Sequence, residues 1–267
     1  MLNQRKRVLR RDDGGFNDWE ERVEGHAYDA KRLAVVIVDV GDTHIHDRFR
    51  HWCAEKAPKI DVFARSMRAL GATIIHASAG VMGYYEQHPA RLRAQAKGIG
   101  LAHQLSWHAR VWRARRAVRR GRFPSPPFAQ GYDGPSVQAV NARRTGGRTR
   151  QHAAILIDEE RDYISDSAPE IFGIICNGGS SSQFSQVLYV GGYLSGCVMW
   201  RPFGLHVATT CGIPCLVVRD LSDIVMYSAE QPPYVSYDHA LRLYLSFLEA
   251  RVCPTIDSAD CVKPLEP

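Results

Sequence analysis

Two residues of this chain, Cys197 and Asp39, have side chains that could act together as a nucleophile and a proton acceptor. Cys197 follows the glycine-ended segment "VLYVGG" and begins a stretch that predicts a helix. A thiol at a helix N-terminus faces unpaired backbone N–H groups, which favour the thiolate and can hold the oxyanion of an intermediate. Asp39 ends the apolar run "LAVVIVD", where partial desolvation raises the proton affinity of a carboxylate. We therefore interpret Cys197 as a nucleophile and Asp39 as its acid and base.

The loop after Asp39 carries further polar side chains. Asp42, His44, His46 and Asp47 belong to the residue types that bind divalent metals, but their spacing matches no established ligand signature. We expect no metal and no cofactor, with a divalent ion near Asp42 and His44 as the alternative.

Aromatic and imidazole side chains are candidates for lining a substrate pocket, because they combine a large apolar surface with a polar atom. The alternative for each is ordinary packing in the core or at the surface. The candidates are His44, His76, Tyr84, Tyr85, Trp107, Trp200 and Tyr227.

Hydrophobic patterning predicts the elements that position Asp39 and Cys197. Continuous β-branched runs indicate strands that are buried on both faces. Strands are predicted over residues 33–40, 72–78, 153–158, 186–192 and 214–220, and helices over 58–70, 168–176, 197–211 and 240–251. This alternation predicts an α/β three-layer sandwich, with a mostly parallel open sheet of five or six strands and helices on both faces. Ligands bind at the carboxyl edge of such sheets, where Asp39 and Cys197 would meet.

One domain with an insertion accounts for the length and composition. The 267 residues are 45% hydrophobic and 23% charged, as in ordinary globular proteins. Residues 1–30 lack periodicity and predict a flexible arm. Residues 31–261 form the predicted domain, with an arginine-rich insertion at about 103–150 and a tail over 262–267.

Cysteine usage and the lack of a long apolar run indicate where the chain resides. The seven cysteines are scattered without a zinc-type spacing, which indicates reduced thiols. No apolar run approaches the roughly 18 residues of a membrane span, and no apolar region follows the basic N-terminus. We expect a cytoplasmic protein with no membrane association.

The insertion concentrates positive charge. Residues 107–150 hold eleven arginines and one acid, Asp133, so this segment carries +10 while the chain as a whole carries +6. Its first half predicts an amphipathic helix with Trp107, Val111, Ala114 and Val118 on the apolar face. A basic face near aromatic residues is one signature of nucleic-acid binding. No nucleic-acid motif accompanies it, so we expect a solvated flap over the sheet edge or active site, and no nucleic-acid partner.

Three segments together resemble a known superfamily. They are "VVIVDV", "ALGATIIHAS" and "VLYVGGYLSGCVMWRPFGLHVATTCGIPCLVVRDLSD". They resemble the isochorismatase-like cysteine hydrolases, which include nicotinamidases and N-carbamoylsarcosine amidohydrolase, over about Arg32 to Cys261. Uncharacterised members with "CV", "RPF", "RD" and "CPTI" are the most similar, and this chain has all four patterns.

The resemblance implies a catalytic triad of aspartate, lysine and cysteine, with Asp39 and Cys197 as two of its members. It also implies a cis peptide bond between Gly192 and Tyr193, an oxyanion hole formed by the backbone N–H groups of Tyr193 and Cys197, a small-molecule substrate and a homo-oligomer.

Two departures from the family pattern bear on the site. The usual "DxQNDF" is "DVGDTH" here, which places Gly41 and His44 where glutamine and phenylalanine are usual. The triad lysine is missing, and its place falls on Glu160 or Arg161. Glutamate would raise the pKa values of its neighbours, whereas arginine keeps a positive charge that it cannot give up. We favour Arg161 as the electrostatic substitute.

These observations predict a hydrolase that cleaves a C–N bond of a small molecule, in an amide, imide or ureido group, through a Cys197 acyl-enzyme. One alternative is isochorismate-type vinyl ether hydrolysis, in which the aspartate dominates and the cysteine is dispensable. The other is a catalytically silent member that acts as a binding or scaffold protein.

Overall fold

The computed structural model describes residues 2–44, 47–98, 100–128, 148–177, 179, 181–224, 229–230 and 232–261. The strands are β1 (Leu2–Arg11), β2 (Asn17–His26), β3 (Leu33–Val38), β4 (Thr73–Ala77), β5 (Tyr163–Ile164), β6 (Gln186–Gly192), β7 (Cys215–Asp223) and β8 (Thr255–Ile256). The helices are α1 (Asp47–Ala69), α2 (Pro89–Lys97), α3 (Leu101–Arg119), α4 (Ala168–Cys176), α5 (Cys197–Trp200), α6 (Leu205–Thr210), α7 (Tyr237–Arg251) and α8 (Ser258–Cys261).

The described strands form one sheet in the order β2-β1-β8-β7-β6-β3-β4-β5. Strands β3 to β8 are parallel to one another, and β1 and β2 extend one edge as an antiparallel hairpin. Every residue of β3 is buried, and successive residues belong alternately to the two hydrophobic cores, one on each face of the sheet. The predicted α/β fold class is therefore confirmed, with eight strands instead of five or six.

The N-terminal segment is not the flexible arm that its lack of hydrophobic periodicity predicted. It forms the β1–β2 hairpin, whose connecting turn includes Gly15 at a φ of 83°. Opposite charges face each other across the strands, as in the directly paired Arg7 and Glu21, whose side chains form a 3.2 Å ion pair. Arg5 also binds Asp257 at 2.8 Å, which ties the hairpin to the rest of the chain. Charged pairs of this kind stabilise a hairpin without leaving an apolar pattern.

The strand predicted over residues 153–158 is absent, and the third parallel strand is β5 instead. Ile155 is buried, as an apolar pattern requires, but hydrogen bonds hold its segment as a loop. The Leu156 backbone N–H donates to Asp61 at 2.8 Å, and the Gln151 side chain donates to the Ile155 carbonyl at 3.2 Å. The buried apolar segment around Ile155 is therefore a loop held by hydrogen bonds, and not a strand.

The first described part of the arginine-rich insertion, helix α3, is packed against the fold. Trp107, Val111 and Ala114 are buried, as the amphipathic pattern predicted, and the Trp107 ring stacks on Phe172 of α4 with 4.1 Å between ring centres. Helix α3 is therefore part of the outer layer of the fold and not a flap. Residues 129–147 and the predicted tail over 262–267 lie outside the described residues. None of the described helices is both long and apolar enough to cross a bilayer.

Candidate active site

The bend after β6 can be built only with glycine. A Cβ atom on Gly191 would lie 2.2 Å from the Val38 carbonyl oxygen, and one on Gly192 would lie 2.2 Å from the Phe49 ring. Gly191 also has a φ of 109°, which other residues rarely adopt. The peptide bond from Gly192 to Tyr193 is cis, at the position where the resemblance places one. The bend leads into α5, which begins at the half-buried Cys197.

Asp39 lies at the carboxyl end of β3, beside this bend, with only 1% of its surface exposed. Its Oδ1 accepts a 2.8 Å hydrogen bond from the Ala79 backbone N–H. Two guanidinium groups bind the carboxylate. Arg148 Nη1 is 2.9 Å from Oδ1, and Arg201 Nη2 is 2.8 Å from Oδ2. A buried carboxylate requires such partners, because an unpaired charge is costly away from water.

The Cys197 thiol lies close enough to both Asp39 and Arg201 for these two groups to shift its pKa. Burial, followed by the negative charge of Asp39, raises the pKa of the thiol to about 12, while Arg201 and Arg148 oppose this rise. The thiol is therefore protonated at neutral pH. The thiolate-favouring effect expected of a helix N-terminus is outweighed, since α5 is only four residues long and the thiol is desolvated.

Arg161 does not bind Asp39, the role for which the resemblance led us to favour it. Its guanidinium is 61% exposed and pairs with Asp158 at 2.7 Å. Glu160 is also exposed, and its backbone N–H donates to the same carboxylate. The positive charge beside Asp39 comes instead from Arg148 and Arg201, neither of which sequence reasoning assigned to this role.

Each of these two arginines has a local signal in the sequence. Arg201 precedes Pro202 in "RPF" and adopts an extended ψ of 153°, because proline disfavours a helical conformation in the residue before it. The predicted helix over 197–211 therefore breaks into α5 and α6. Arg148 lies against Gly41, where a Cβ atom would be 2.9 Å from both its Cβ and its Cδ. The unusual Gly41 thus makes room for the second arginine.

Two of the predicted pocket residues lie beside the site. His44 Nε2 is 2.6 Å from the Tyr193 hydroxyl, which places this imidazole next to the bend. Trp200, half-buried at the end of α5, packs edge-on against Phe123 at 5.9 Å between ring centres. Phe123 follows α3, so the insertion packs against the end of the short helix that Cys197 begins.

The remaining pocket candidates lie elsewhere. Trp107 is a core residue, and Tyr84 is 58% exposed with its hydroxyl accepting from Arg150. The buried Tyr85 accepts from the Gln151 backbone at 3.0 Å. Tyr227 lies outside the described residues.

His76 belongs to a buried polar network instead of a pocket. Its Nδ1 is 2.9 Å from Gln151 Oε1, and its Nε2 is 2.9 Å from Asp162 Oδ2. Arg68 also binds Asp162 with two nitrogens. Burial raises the pKa of Asp162, but the hydrogen bonds from His76 and Arg68 outweigh it and hold the pKa below its ordinary value. This network fixes the loop that precedes β5.

The side chains considered for a metal have protein partners. The Asp42 carboxylate accepts from the backbone N–H and the hydroxyl of Thr149, and Asp47 pairs with Arg50 at 2.6 Å. His46 lies outside the described part of the chain, and within that part no three histidine, cysteine or acidic side chains converge as ligands.

A surface cavity of about 500 Å³ adjoins the bend. Arg48, Trp52, Asp223 and Tyr237 are among its lining residues. The Asp223 carbonyl accepts a 2.6 Å hydrogen bond from the Leu194 backbone, which links the cavity wall to the bend. Neither Asp39 nor Cys197 lines this cavity, but its volume is in the range of small-molecule sites.

Comparisons with known proteins identify the fold. No protein-family model matches the chain, and no curated protein does. Nineteen chains of solved structures match. One is the crystal structure of a cysteine hydrolase from Pseudomonas syringae pv. phaseolicola 1448A, with a TM-score of 0.52 and 13% sequence identity over 88% of this chain and 92% of that one. The protein therefore has the fold of that cysteine hydrolase.

Proposed function

We propose that the protein is an isochorismatase-like cysteine hydrolase that cleaves a C–N bond in an amide, imide or ureido group of a small molecule. One observation carries the proposal: the Cys197 thiol neighbours the Asp39 carboxylate at the carboxyl edge of the parallel sheet. The fold shared with a cysteine hydrolase supports the same reaction class.

The first step begins from a protonated thiol, because the pKa of Cys197 is about 12. Asp39 accepts the thiol proton while Sγ attacks the substrate carbonyl carbon, and the carbonyl electrons move onto oxygen. Backbone N–H groups of Tyr193 and Cys197 stabilise that oxyanion. Among the described residues, neither of these N–H groups donates to a protein acceptor, so both are available to the substrate.

In the second step the C–N bond breaks and the amine leaves. Protonated Asp39 gives its proton to the leaving nitrogen as the C–N bond breaks, which leaves a Cys197 thioester and restores the carboxylate. Asp39 then removes a proton from water as that water attacks the thioester. Sγ leaves with its bonding electrons and recovers the proton, so the net reaction consumes one water.

Arg148 and Arg201 act electrostatically in this scheme. Their two positive charges, the Asp39 carboxylate and the neutral Cys197 thiol sum to +1, and the sum over these four groups is unchanged while a proton moves from Cys197 to Asp39. The guanidinium groups stabilise the carboxylate or thiolate that each state contains, and they do not take part in proton transfer. They replace the charge of the family lysine but not its proton chemistry.

One observation favours a second candidate. The raised pKa of Cys197 makes a thiolate costly, whereas vinyl ether hydrolysis of the isochorismate type requires chiefly the aspartate as a proton donor. In that reaction Asp39 remains essential and Cys197 does not.

The test is a screen of small amides, imides and ureides for release of ammonia or amine, with a vinyl ether panel beside it. Cys197→Ala and Asp39→Asn should both abolish C–N cleavage, and Arg161→Gln should preserve it as the matched surface control. Vinyl ether cleavage that survives Cys197→Ala would support the second candidate. Ligand binding without turnover on either panel would identify a catalytically silent binding protein.

A further inference from the structure

The outward face of α3 carries positive charge that no described carboxylate neutralises. Residues 101–128 contain seven arginines and no aspartate or glutamate. Six of these arginines follow Trp112, and all six are exposed: Arg113, Arg115, Arg116, Arg119, Arg120 and Arg122. None of them takes part in the ion pairs of the described residues, whereas Arg50, Arg65 and Arg161 each bind a carboxylate on their own helix or loop.

The same face carries an apolar stripe. Leu101 is 72% exposed, and Leu105 and Trp112 are each 57% exposed. At 3.6 residues per turn, these three positions fall within about 40° of one another around the helix axis. The opposite face of α3 is the one that packs into the core through Trp107 and Ala114. The described part of the fold therefore leaves this apolar stripe unpacked, beside arginines that no described carboxylate pairs with.

We propose that this face of α3 binds the surface of an anionic lipid bilayer. Leucine and tryptophan side chains on one side of a helix enter the boundary between headgroups and acyl chains, while arginines bind acidic headgroups. Our sequence expectation of no membrane association depended on the lack of a spanning segment, which a peripheral contact does not require.

Two other partners fit the face less well. A nucleic acid would use the arginines and the Trp112 ring, but it would leave Leu101 and Leu105 exposed to water. A second copy of the chain would cover the leucines, but a symmetric contact would bring the two arginine clusters together and cause like-charge repulsion. Of these three partners, the acidic lipid surface is the one that uses both the apolar stripe and the charge.

The first experiment measures sedimentation of the full-length protein with phosphatidylcholine vesicles, with and without phosphatidylserine. Binding is expected only with phosphatidylserine and should weaken as salt is added. Each arginine near an acidic surface contributes roughly fivefold in affinity, so Arg116→Glu with Arg119→Glu should weaken binding about 25-fold or more. Arg242→Glu with Arg251→Glu on α7 makes the same charge change elsewhere and should retain binding.

A second measurement tests insertion of the apolar stripe. The tryptophan emission of the wild-type protein should shift to shorter wavelength on acidic vesicles. Trp112→Phe should keep the binding but lose the shift, whereas a shift that persists in this variant would overturn the assigned orientation. Absence of binding to acidic vesicles would overturn the proposal, as would tighter binding to a single-stranded oligonucleotide at the same salt. Self-association lost in Leu105→Ser, without vesicle binding, would assign the face to a second copy instead.

Discussion

Arg201 binds a single oxygen of Asp39 with two nitrogens, its Nε at 2.9 Å and its Nη2 at 2.8 Å from Oδ2. Arg148 binds the other carboxylate oxygen and the Asp39 backbone carbonyl. The carboxylate is thereby held from two sides, in an orientation that leaves it beside Cys197.

Replacing Arg201 by glutamine should slow alkylation of Cys197 by iodoacetamide about tenfold at pH 8. The guanidinium lowers the pKa of the thiol, and a rise of one pKa unit lowers the thiolate fraction about tenfold. Mass-spectrometric time courses measure the rate. Arg161→Gln is the matched control and should leave it unchanged, because Arg161 is at the surface. Equal rates in wild type and Arg201→Gln would contradict the electrostatic role.

The alkylation rate of Cys197 in the wild-type protein should rise about tenfold per pH unit from about pH 7 to 10, because only the thiolate reacts. Its pKa is raised to about 12, so the thiolate fraction is still increasing over this whole interval. Cys211, the other half-buried cysteine, serves as the internal reference. A plateau below pH 8 would mean that the thiolate is preformed.

Gly41→Ala should reproduce the effect of losing Arg148, because the added Cβ would lie 2.9 Å from two atoms of that arginine. The expected result is slower alkylation of Cys197, since Arg148 also lowers the pKa of its thiol. In an Arg148→Gly background, Gly41→Ala should have no further effect. Gly83→Ala is the control, as a Cβ atom there meets no neighbour.

Asp162→Ala should destabilise the protein by about 3–5 kcal/mol, because it leaves the buried Arg68 without its carboxylate. The folded-state pKa of Asp162 is lowered, so its stabilisation is present at neutral pH and is lost as the pH falls below about 4. Urea denaturation at a series of pH values should show that the difference in the free energy of unfolding between wild type and Asp162→Ala becomes smaller as the pH falls. Glu55→Ala, which breaks an exposed ion pair with Lys59, should leave stability unchanged.

Trp107→Ala should cost about 3–5 kcal/mol of stability, as expected for removing a large buried aromatic ring. Trp112→Ala on the same helix should change stability by less than about 0.5 kcal/mol, because its ring is mostly exposed. Denaturant titration compares the two variants. The alkylation rate of Cys197 should be the same in both variants. A slower rate in Trp107→Ala alone would support the original prediction that Trp107 lines the substrate pocket.

Local patterns in the sequence determined the parallel strands and the bend. An uninterrupted apolar run is required where both faces of a strand are covered, and all six residues of β3 are buried. Two glycines are required where the Val38 carbonyl and the Phe49 ring leave no room for a Cβ atom. Because parallel strands end at one edge of a sheet, the positions of Asp39 and Cys197 after β3 and β6 were enough to predict that they meet.

Only the tertiary structure decided which cations bind Asp39. Arg148 and Arg201 come from segments far apart in the chain, and a long side chain can reach a site in many directions that its own position does not specify. Hydrophobic periodicity indicates which faces of a helix or strand are buried. It does not indicate which charged side chains from distant segments come together. For the same reason the pattern could not separate the core residue Trp107 from a pocket residue, or distinguish the loop around Ile155 from a strand.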